Sequence, residues 1–97
     1  MKITMPEEFH KHEYEIRDFI PKMVHDKIMR ARHDDDMVKA SDELIIGMVL
    51  NPKFTEACLQ KTEIDGTEME FLTLLIMEKF GLTEARIEEL KKKATIS

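Results

Sequence analysis

The chain has 97 residues, of which 42% are apolar and 36% charged, and it carries a net charge of −5. That length holds one core, not two, and an acidic surface argues against nucleic-acid binding, where basic side chains displace counterions from phosphate. Cys58 is the only cysteine, which excludes an intramolecular disulfide, and no apolar run approaches the roughly 20 residues of a membrane helix.

The first twenty residues admit two readings. Pro6 followed by Glu7 and Glu8 suits a helix start, with Phe9, Ile16, Phe19 and Ile20 sharing one face. Alternatively Lys2–Met5 and Tyr14–Asp18 are short strands, because Tyr14 and Ile16 alternate with charged residues, and an N-terminal hairpin results. The segment has no apolar signal core and carries acids where a signal peptide would not. With a single cysteine, this points to the reducing cytoplasm.

Pro21 opens a helix that runs to about His33, with Val24, Ile28 and Ala31 at i, i+4, i+7 spacing. Asp34, Asp35 and Asp36 interrupt the apolar face, and any of them can cap the next helix. That helix begins near Met37 and contains the run Leu44–Leu50, apolar around most of its circumference, as expected of a central element. Gly47 within it costs about 1 kcal/mol of propensity, which a close helix–helix approach would offset. Asn51-Pro52 ends it.

Thr55 is a candidate cap for a short helix holding Ala57, Cys58 and Leu59, and Asp65-Gly66 is a tight turn. Thr67-Glu68-Met69-Glu70 fits a capping box, so Thr67 is expected to cap a helix continuing through Phe71, Leu72, Leu74, Leu75, Ile76 and Phe80 to Gly81. Leu82 is placed to fold back on Met77 beyond it. Thr83 then caps a last helix with Ile87, Leu90 and Ala94 on one face and the pairs Glu88–Lys92 and Glu89–Lys93 on another. The expected fold is all-α: a single domain over residues 1–97, a compact bundle of four to five helices over 21–97, with or without the N-terminal hairpin.

No catalytic or metal constellation stands out. His10 and His12 share a face only on a strand, and His33 with its following aspartates splays around a helix end. No spacing matches a zinc or calcium site, no glycine-rich loop cradles a phosphate, and Cys58 sits between Ala57 and Leu59 as a core thiol would. No cofactor is expected, and the chain reads as a non-enzyme. Eight methionines suit either core filling or an adaptable binding surface. The doublets Ile45-Ile46 and Leu74-Leu75 hold more apolar surface than one narrow stripe buries, so an oligomer or a partner helix would cover any remainder. Leu44, Ile45, Met48, Leu75 and Ile76 are the candidate residues for packing or partner contact.

From Pro21 to Lys93 the order of features resembles the small tail-assembly chaperones of long-tailed phages and prophages. An apolar helix runs into Leu50-Asn51-Pro52-Lys53-Phe54-Thr55, followed by the acidic turn Ile64-Asp65-Gly66, a helix, and a Lys-rich terminal segment. The resemblance implies binding without catalysis: holding the hydrophobic helices of a tape-measure protein and recruiting tail-tube subunits in the host cytoplasm. It also implies a longer frameshifted form, for which the lysine run Lys91–Lys93 offers a slippery tract; a helix C-terminus favours lysines without any frameshift. The competing reading is a small acidic regulator that blocks a basic, nucleic-acid-binding protein through Asp34–Asp36 and Glu88-Glu89.

Overall fold

In the computed structural model, which describes residues 1–81 and Lys92, the N-terminus is a hairpin. Strands β1 (Lys2–Thr4) and β2 (Glu13–Ile16) pair antiparallel, with Ile3 opposite Tyr14. The period of two decides it: Tyr14 and Ile16 point into the core while Glu13 stays exposed. The helix start expected at Pro6 yields only one 3₁₀ turn, Glu7–Phe9. It stops because His10 and Lys11 turn left-handed, at φ 58° and 52°, and bring the chain back so that the Met5 N–H donates to the His12 carbonyl.

Helices α1 (Lys22–His33) and α2 (Met37–Met48) form an αα-hairpin, with Pro21 immediately before α1 and Asp36 capping α2 through its bond from the Lys39 N–H. Val24 at the start of α1 meets Gly47 at the end of α2, and a Cβ on Gly47 would fall 2.5 and 2.6 Å from the two Val24 methyls. Glycine is thus required by packing at a position where helix propensity disfavours it.

The all-α expectation fails at the end of α2. The helix does not continue to Leu50: it ends at Met48, and Val49–Asn51 is a strand, β3, antiparallel to β2. The sheet has three strands in the order β1-β2-β3, so the fold is mixed α/β. A fully apolar run has no periodicity with which to mark a change from helix to strand. The physical cause lies elsewhere in the chain: the free edge of β2 presents backbone groups that need partners. The Arg17 N–H donates to the Met48 carbonyl, and Arg17 Nε donates to the Gly47 carbonyl, so the same edge also caps the helix end.

Thr55 caps the single turn α3 (Glu56–Leu59) through the Cys58 N–H, as its position implies. Helix α4 (Gly66–Lys79) is capped by Asp65 and not by Thr67, so the capping box is not formed. The Asp65 carboxylate accepts from both the Thr67 and Glu68 N–H groups, and a charged acceptor at a helix N-terminus outcompetes a hydroxyl. Gly81 follows the helix at φ 66°, the left-handed stop its position suggests. The expected Leu82 fold-back and the last helix from Thr83 fall outside the described residues. Met5, Tyr14, Ile16, Leu44, Ile45, Met48, Val49, Phe54, Leu72 and Ile76 make one core between the sheet, α2 and α4.

Candidate functional site

An open groove of about 540 Å³ lies between α2 and α4, closed at one end by α3 and the turn before α4. Met37, Val38 and Ile45 line it from α2, Leu59 and Ile64 from the α3 side, and Met69, Leu74 and Met77 from α4. Its lips are exposed apolar side chains: Met37 at 58%, Val38 at 72% and Leu74 at 54% of full exposure. A smaller pocket of about 50 Å³ continues it toward α1 between Ile28, Leu44 and Met77. Three of the eight methionines, Met37, Met69 and Met77, are therefore at the groove, while Met5 and Met48 fill the core.

The five candidate contact residues divide unevenly. Leu44, Met48 and Ile76 are fully packed core residues, and Leu75 is half-buried against the core. Ile45 is buried and forms part of the groove wall. Val38, Met69 and Leu59 were not among the contact candidates, and Leu74 entered only through the Leu74-Leu75 doublet. One signal was available for Leu74: two adjacent leucines on a helix lie about 100° apart, so burying Leu75 turns Leu74 outward.

The groove is bordered by carboxylates. Asp42 and Glu70 lie on its edge. A neighbouring concavity of about 380 Å³ shares Val38 and Asp42 with it and adds Asp36, Glu43 and Glu56, against which Lys39 is the one basic residue among its described lining residues. Burial, and then the nearby charges of Glu56, Asp36 and Glu43, push the Asp42 carboxyl above its ordinary range.

A second polar cluster joins the sheet to α4. Glu68, 5% exposed, accepts at Oε1 from the Tyr14 hydroxyl at 2.9 Å and lies 2.7 Å from His12 Nδ1. Burial, and then the bond to Glu68, push the Tyr14 phenol well above its usual range, which keeps it a neutral donor. The His12 ring is half-exposed and stands 5.8 Å from His10. The concavity beside it is lined by Phe9, Phe54 and Met69 among others and holds no serine, cysteine or lysine among its described lining residues. Chemically the arrangement is a clamp of β2 onto the first turn of α4. Its partners lie 54 and 56 residues apart, so sequence spacing carried no trace of it.

Among the described residues no group of three or more His, Cys, Asp or Glu side chains is placed to hold a metal ion. Cys58 is half-buried against the core. No helix among them is long and apolar enough to cross a membrane. Compared with protein-family models, curated proteins and solved structures, the chain matches none.

Proposed function

We propose that this protein is a non-catalytic binding module that holds an apolar helix of a partner protein in the groove between α2 and α4. The observation that carries the reading is the exposure of Met37, Val38 and Leu74 on the lips of an open apolar channel. Contiguous exposed apolar surface of this kind is costly in water and marks a surface that another protein covers. The groove has the form that helix-in-groove recognition uses: aliphatic and thioether walls that adapt to an incoming i, i+3/i+4, i+7 stripe.

The duty this supports is that of a tail-assembly chaperone, keeping tape-measure helices in solution and recruiting tail-tube subunits. The resemblance of residues 21–93 to that class supplies the partner, and the groove supplies a place to hold it. The test is co-expression with tape-measure and tail-tube proteins followed by affinity capture. Retention of the tape-measure protein by the parent chain and its loss from Leu74→Asp or Val38→Asp supports the reading. Failure to retain either protein, or retention unaffected by both substitutions, defeats it.

A further inference from the structure

We propose that the groove selects a cationic amphipathic helix, one whose apolar stripe is flanked by lysine or arginine. The inference rests on the reading of the groove as a protein-docking site and adds the chemistry of the occupant. The apolar walls alone would accept any greasy helix. The charge around them is not neutral: Asp42 and Glu70 sit on the groove itself, and Glu43 and Glu56 line the concavity that shares Val38 and Asp42 with it.

Among the described residues none of these four carboxylates forms an ion pair. Asp42 is the most telling, because burial and three neighbouring acids all oppose its ionisation. A cation laid along this edge offsets the repulsion from those acids. An anionic flank adds to it, so the edge discriminates by repulsion as well as by attraction. The α2 side of the groove, from Met37 to Ile45, spans roughly 12 Å at ~1.5 Å per residue, so it seats two to three turns and about three apolar anchors. A lysine or arginine one position beside each anchor reaches the acidic edge, with its methylene stem lying over Val38.

The test uses the full chain with ¹³C-methyl-labelled methionine and two synthetic helical peptides. Both carry leucine at i, i+4, i+7 and i+11; one has lysines flanking the stripe and the other glutamates in their place. The lysine peptide is expected to shift the Met37, Met69 and Met77 methyl resonances and to bind at least tenfold more tightly than the glutamate peptide at low salt. That ratio should shrink in 0.5 M salt, as exposed charge pairing is screened. Asp42→Asn with Glu70→Gln should lower the affinity for the lysine peptide toward that for the glutamate peptide, and an unchanged ratio would overturn the charge selection. Equal binding of the two peptides overturns the charge selection while the docking reading survives. If neither peptide moves those methyls, both fall. Concentration-dependent shifts of the same methyls without peptide would make a second copy the occupant, and would overturn the proposal as well.

Discussion

The two methyl groups of Val24 occupy the place that a side chain on Gly47 would need, 2.5 and 2.6 Å from its ideal Cβ. This close contact limits how closely α1 and α2 can pack. Gly47→Ala gains about 1 kcal/mol of helix propensity but overpacks the contact at a cost of about 1–3 kcal/mol. The expected result is a net loss of stability in urea denaturation. Adding Val24→Ala should recover part of it, and additive losses in the double variant would show that the two residues do not meet.

Glu68 is the buried end of the clamp between sheet and helix. Glu68→Ala leaves the Tyr14 hydroxyl buried without its acceptor, and losing a hydrogen bond to a charged group costs about 1.5–3 kcal/mol. Tyr14→Phe should cost less than Glu68→Ala, because the carboxylate keeps its neighbour His12. The order of the two denaturation midpoints checks this.

Burial of the Tyr14 phenol, and then its bond to Glu68, make stability depend on alkaline pH. Because the folded state holds the Tyr14 phenol above its ordinary value of about 10, the fold retains a proton that the unfolded chain releases. Its contribution is complete below that value and is lost as pH rises from there toward the folded pKa. Parent protein should therefore lose stability faster than Tyr14→Phe as pH rises above about 10. Parallel stability curves would argue against a buried, hydrogen-bonded Tyr14 phenol.

Asp65 and Thr67 make opposite predictions for a helix cap. Asp65→Ala removes an acceptor of two backbone N–H groups and should cost about 0.5–2 kcal/mol. Thr67→Ala should change stability by no more than ~0.5 kcal/mol. Thermal denaturation of the pair separates Asp65 capping from a Thr67 capping box.

The groove lips should be separable from the core. Val38→Asp and Leu74→Asp alter side chains 72% and 54% exposed, so stability should fall by no more than ~0.5 kcal/mol while helix binding is lost. Ile45→Ala, at a side chain 1% exposed, should cost about 2–5 kcal/mol. Denaturation and peptide titration of the same three variants check both halves.

What the sequence determined by itself is local. The spans of α1 and the start of α2, the Thr55 cap and the stop at Gly81 follow from residues within a turn of one another. The alternation of Tyr14 and Ile16 likewise carried the hairpin as one of two readings, since period is a local property. Only the tertiary structure decided the conversion of Val49–Asn51 from helix to strand and the burial of Glu68. Each depends on a partner far along the chain: the edge of β2 claims Val49, and Tyr14 reaches Glu68 across the core. The groove belongs to the same class. An apolar residue reads alike in sequence whether it faces a neighbour or water, and packing of Leu44, Met48 and Ile76 inward is what left Met37, Val38 and Leu74 outside.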